Sequence, residues 1–156
     1  MPKYSRLQIV IHWVVVAMII IQWSTADAIP RTHNPLLPAK EWDLFLHMVH
    51  NYCGIGIGAL VLLRMALRLR QRPQINHFRD LAAATIHWGL YGSLAAQAAT
   101  GVIVTYFWAP AAWSHKALWY VTLVLVGLHL TAALWHGIRR DGVLSRMSPS
   151  LRIGRK

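Results

Sequence analysis

Residues 117–138 read ALWYVTLVLVGLHLTAALWHGI. These twenty-two residues contain no Asp, Glu, Lys or Arg. A helix of about 20 mostly apolar residues is long enough to cross a bilayer. Two imidazoles stand in the run, His129 just past its middle and His136 near its end. An ionisable side chain at membrane depth is costly unless it faces a protein interior, a cavity or a cofactor. The stretch therefore predicts a membrane-spanning helix with a functional face.

Three further stretches lack Asp, Glu, Lys and Arg: 7–26, 44–63 and 81–115. The third is long enough for a helix and a short loop, and Pro110 is expected to end that helix near Trp108. The expected fold is an all-α integral membrane protein, a four-transmembrane-helix bundle. Its spans are expected at about 7–28, 42–64, 81–107 and 114–138, in one domain covering 1–156. The composition agrees. Of the 156 residues, 56% are hydrophobic and only 13% charged, against about 25% charged in soluble domains.

The loops set an orientation. Thirteen of the sixteen Lys and Arg residues lie at the N-terminus, between spans two and three, or in the tail; only Arg31, Lys40 and Lys116 lie on the other side. The positive-inside rule then places both termini in the cytoplasm. The net charge of +11 follows from topology and anionic lipid, so no nucleic-acid partner is implied. Ala26-Asp27-Ala28 has the small-x-small form of a signal-peptidase site. Span one, with Gln8, His12 and Gln22, is longer than the usual signal core, and its removal would leave an odd number of spans. The single cysteine, Cys53, excludes an internal disulfide and multi-Cys metal sites. Packing is its expected role.

Histidine is the unusual residue, with nine in the chain. His12, His47, His50, His87 and His129 lie within the neutral stretches, and His115 opens span four. His115 and His129 are 14 residues apart, which returns a helix to nearly the same face about 21 Å further along. The series His115, Thr122, His129, His136 is a heptad seam of the kind that faces bundle neighbours. By depth, His12 can meet His129 on the inner side and His50 can meet His115 on the outer side. Two stacked bis-histidine sites suit two b-type haems, whose iron accepts imidazole axially. Other pairings stay open: His87 has the depth to replace His12 or His129, and His47 lies one turn from His50. Zinc is disfavoured, because tetrahedral sites want more ligands and no carboxylate lies in the spans.

Gly54 and Gly58 form a GxxxG that admits a neighbouring backbone or a flat cofactor. Arg64 and Arg68 are expected to snorkel to the cytoplasmic interface, with Arg64 in reach of a haem propionate. His33 and His77 are expected to be solvated in loops.

Several segments together resemble the bacterial cytochrome b561 family. They are Lys3-Tyr-Ser-Arg-Leu-Gln-Ile with His12-Trp13, His50-Asn-Tyr-Cys-Gly54 with Arg64, His87-Trp-Gly-Leu-Tyr91, His129 to His136, and Asp141-Gly-Val-Leu-Ser-Arg-Met147. They follow in order along the whole chain. The resemblance implies a multi-pass protein of the bacterial inner membrane with two haem b groups. It implies His50 and His115 on the outer haem iron, and His12 and His129 on the inner one. The branch it looks most like is associated with superoxide oxidation at the periplasmic side and ubiquinone reduction near the cytoplasmic side. On that implication, His136 and His87 are candidates at the quinone, and Lys116 and His47 at the superoxide entrance. Lys116 stands where that branch has an acidic residue, and the segment 109–114 is shorter than in it. An alternative is a diheme conduit serving a periplasmic dehydrogenase or cytochrome c. A histidine-rich transporter would call for carboxylates or broken helices at the midplane.

Overall fold

Ser5 opens the first helix with a capping box: its hydroxyl accepts from the Gln8 N–H while the Gln8 side chain accepts from the Ser5 N–H. The computed structural model describes residues 5–71 and 78–140. The expectations for Lys3, for His77 and for the basic tail from Asp141 onward lie outside them. Among the described residues there is no strand. The elements are α1 (Arg6–Thr25), a short α2 (Ala28–Thr32), α3 (Glu41–Gln71), α4 (Phe78–Tyr106), a 3-10 turn (Ala109–Ala111) and α5 (Ala112–Arg139).

The four long helices pack antiparallel in chain order, α1 on α3, α3 on α4 and α4 on α5. Gln8, at the start of α1, exchanges amide hydrogen bonds with Gln71 at the end of α3 (3.2 and 3.1 Å). At the other end Gln22 Nε2 donates to the His50 carbonyl at 2.8 Å. The apolar core is formed by Ile11 and Val15 of α1, Ile57 and Val61 of α3, and Tyr91 and Leu94 of α4. Gly58 permits the α3–α4 approach, since a Cβ there would stand 2.7 Å from the Ala98 Cβ. Large apolar side chains cover the outside, among them Ile20, Leu62, Val124 and Leu134. In water such a surface would be unfavourable; in lipid it is the expected one.

Three helical segments are long and apolar enough to cross a membrane: Arg6–Thr25, Glu41–Gln71 and Ala109–Arg139. The expected third span, α4, is as long as the others but less apolar. It is flanked by α3 on one side and α5 on the other, and its polar residues Ser93, Gln97 and Thr100 are buried or half-buried. A helix covered by protein on two sides needs less apolar surface for lipid.

The boundaries also differ from expectation. The first span ends at Thr25, where Ala26-Asp27 breaks it from α2. The second continues to Gln71, making α3 31 residues and about 46 Å long, beyond the roughly 30 Å of a hydrocarbon core. Its first turn carries Glu41 and Asp43 and its last turn Arg68 and Arg70, the signs that suit a helix dipole. Before Pro110, α4 ends at Tyr106 and Trp108 is extended, as proline requires of a nearby helix.

Candidate functional site

The histidines gather at two ends of the helices. One gathering lies where α1 and α4 begin and α3 and α5 finish. The other lies where α1 and α4 finish and α3 and α5 begin. Helix α5 contributes to both. Thr122, midway between its His115 and His129, is fully buried, so the seam faces protein.

At the first end the rings of His12 and His129 lie 6.2 Å apart, centroid to centroid, with planes at 75°. The His87 ring lies 5.2 Å from His129. With about 2 Å from metal to imidazole nitrogen, two rings on opposite sides of one metal have centroids roughly 6 Å apart. The His12–His129 separation matches that arrangement, whereas His87 sits too close to His129 for it. His87 Nδ1 lies 2.6 Å from the Ala83 carbonyl, which can only accept, so this nitrogen carries the proton and Nε2 is left bare.

Arg64 is also here, which corrects the expectation that it snorkels to the interface. It is 7% exposed. Its Nε donates to the Tyr91 hydroxyl (3.2 Å) and Nη1 to the Gln8 carbonyl (3.3 Å). Helix α3 runs on beyond Arg64, so the guanidinium is carried inside the helix contacts rather than past them. Among the described residues no carboxylate pairs with it. A buried cation is stable only with compensating groups, so this end favours an anionic ligand group.

At the second end each ring is fixed by a threonine of the neighbouring helix. Thr25 Oγ1 donates to the Ile21 carbonyl (2.8 Å) and faces His50 Nδ1 at 3.1 Å. Thr100 Oγ1 donates to the Ala96 carbonyl (2.8 Å) and faces His115 Nδ1 at 3.1 Å. With each hydroxyl proton engaged, the threonine oxygen accepts from Nδ1–H. Both Nε2 atoms then keep the lone pair that a metal needs. The Gln97 amide lies 3.4 Å from His115 Nε2, and its own Oε1 is buried without a partner, as is Gln22 Oε1 beside His50. His50 on α3 and His115 on α5 lie at the same end of the helices.

The first end thus brings imidazoles of α1, α4 and α5 together, and the second holds one imidazole on α3 and one on α5, each set by a threonine. Helices α1 and α5 are not closely packed, apart from the His12–His129 approach. Space is open where Cβ atoms would stand on Gly92 and Gly127. Among the described residues no three His, Cys, Asp or Glu side chains converge as a metal-ion cluster. Imidazoles in pairs are what the two ends could offer a metal-bearing group. At Gly54 a Cβ would meet Gln22 Nε2 at 2.8 Å, so the glycine leaves room for the glutamine side chain.

The remaining candidates are placed as follows. Lys116 is exposed at the start of α5, and His136 is half-buried near its end. His47 turns to Thr32, with Nδ1 2.7 Å from Oγ1, and stacks near His33. Sequence reasoning passed over Thr25, Thr100, Gln22 and Gln97. Their signal was available, since each is a polar residue inside an otherwise apolar stretch. Thr25→Val and Thr100→Val are each expected to weaken cofactor retention at this end about tenfold, the lower range for loss of a ligand-orienting hydrogen bond. Titration of the apo-protein with haem, followed by absorbance, checks this.

A family model described as prokaryotic cytochrome b561 matches residues 3–150. Among curated relatives, "Probable superoxide oxidase CybB" of Yersinia pestis is 28% identical over 182 aligned positions, covering 96% of this chain and 98% of the relative. "Cytochrome b562" of Cereibacter sphaeroides is 25% identical over 152 positions, covering 94% and 95%.

Proposed function

The chain belongs to the prokaryotic cytochrome b561 family, and from that premise we propose that it is a diheme superoxide:quinone oxidoreductase of the bacterial inner membrane. Membership makes it a transmembrane electron-transfer protein with b-type haem. The proposal adds the number of haems, their ligands and the substrates. All four long helices span in this reading, as one domain with both termini cytoplasmic. The second histidine gathering then faces the periplasm and the first faces the cytoplasm.

The observation that carries it is the α5 seam. His115 and His129 stand on one protein-facing side of a single helix; the His12 ring of α1 approaches His129, and His50 of α3 stands at the same end as His115. We assign His50 and His115 to the outer haem iron, and His12 and His129 to the inner one. Bound there, haem supplies one-electron redox chemistry. The protein holds the two centres at fixed separation, orients outer imidazoles through Thr25 and Thr100, and places the Arg64 charge beside the inner pair.

At the outer end, Lys116 is an exposed cation suited to drawing in a small anion. Two superoxide ions each give up one electron and leave as dioxygen. At the inner end one quinone takes those two electrons and two protons to become the quinol. His136, near the cytoplasmic end of α5, is suited to hydrogen-bond a quinone oxygen, and His87 offers a second imidazole there. The superoxide reading draws support from the chain's likeness to the Yersinia pestis relative, a probable superoxide oxidase. In the alternative, a diheme conduit, a periplasmic dehydrogenase or cytochrome c would deliver the electrons.

Purified oxidised protein exposed to enzymatically generated superoxide should show reduced b-haem absorbance bands, and a ubiquinone analogue should then reverse them. Haem reducible by dithionite but indifferent to superoxide would overturn the substrate and favour the conduit.

A further inference from the structure

We propose that His33 and His47 form a binding site for a divalent transition-metal ion of borderline softness, such as Zn²⁺, beyond the haem positions at the far end of α1. The site is independent of the haem reading. His33 caps the C-terminus of α2, and His47 lies on α3. Their rings are 5.1 Å apart, centroid to centroid, at 45°. Two imidazoles on one tetrahedral ion, with nitrogens about 2 Å from it, have centroids roughly 5 Å apart.

Both rings are held in the tautomer that binds metal. His33 Nδ1 lies 2.9 Å from the Ile29 carbonyl, which can only accept, so Nδ1 carries the proton. The Thr32 hydroxyl donates to the same carbonyl at 2.9 Å and accepts from His47 Nδ1 at 2.7 Å. Each Nε2 is therefore unprotonated, and no hydrogen bond engages it among the described residues. Metal-binding histidines are oriented in just this way, by a carbonyl or another acceptor on the opposite ring nitrogen. The Arg31–Asp43 ion pair, 2.8 Å, ties α2 to α3 and fixes the spacing of the two rings.

No third His, Cys, Asp or Glu completes a cluster with them among the described residues. The other coordination positions fall to water. Asp43 stands one turn before His47, but its carboxylate is engaged by Arg31. His33 is exposed, so an ion reaches the pair from solvent. Occupancy would clamp α2 to α3 one helical turn from His50.

The test uses full-length, haem-loaded protein in detergent, stripped with chelator and titrated with Zn²⁺ against a chromogenic competitor. His33→Ala and His47→Ala should each lose the same single equivalent, and the double variant should lose no more. Thr32→Val should retain that equivalent with about tenfold weaker affinity, as expected when an orienting partner is removed. Unchanged helicity and melting temperature in His33→Ala show that the loss is not a folding failure. Zinc binding that is the same in both alanine variants as in the parent would overturn the proposal. So would a parent that takes up no zinc in competition.

Discussion

His129→Ala is expected to remove one haem of two and to abolish quinone reduction by superoxide. His12→Ala should remove the same haem, and the double variant should be no worse than either single one. The expectation follows from the 6.2 Å approach of the two rings. It also follows from the coupling of groups that act as one unit, whose losses do not add. Superoxide should still reduce the remaining outer haem in these variants, because His50 and His115 stand at the other end of the helices. Haem content by pyridine haemochrome and stopped-flow reduction separate the two effects. If His87→Ala removes the inner haem and His12→Ala leaves it, the inner ligands are His87 and His129, and the assignment is wrong.

Arg64→Met is expected to lower the midpoint potential of the inner haem by roughly 50 mV. A buried positive charge favours the reduced, less positive iron. An interaction of about 1 kcal/mol, modest for charges at an effective dielectric near 20, corresponds to tens of millivolts for one electron. The fold should survive, because no carboxylate pairs with Arg64 to be left uncompensated and Met keeps its apolar stem. Arg64→Lys should keep most of the potential while losing the two-point hold on Tyr91 and Gln8. Redox titration followed in the haem absorbance band measures both. An unchanged potential in Arg64→Met would reduce Arg64 to a packing element that joins α1, α3 and α4.

Much of this arrangement is written in local pattern. The seam of His115, Thr122 and His129 is a matter of helix periodicity alone, and Thr122 is buried as the period requires. The approach of His12 to His129 follows from depth, because helices crossing the same bundle carry residues of equal depth to one level. Arg64 is different. Whether an arginine near the end of an apolar run lies inside or outside depends on where the helix stops. Arg64-Met-Ala-Leu-Arg-Leu-Arg-Gln71 contains no Gly or Pro to stop it. The run reads as a boundary by charge and continues as a helix by propensity. His47 and His50 differ for a similar reason. They are one turn apart on α3, and a five-residue helix that no apolar period announces supplies Thr32, and its C-cap supplies His33, to the first. Thr25, just before that break, meets the second. Orienting hydroxyls are set by tertiary contact, so sequence shows their presence and not their partners.

In the proposed function one membrane helix serves two haems. The most direct test is the ratio of haem to chain in the purified full-length protein, with His115→Ala and His129→Ala measured beside it. Two haems per chain in the parent and one in each variant, with different absorbance bands lost, is the predicted result. A parent that holds a single haem at saturation, or two variants that lose the same band, would contradict it.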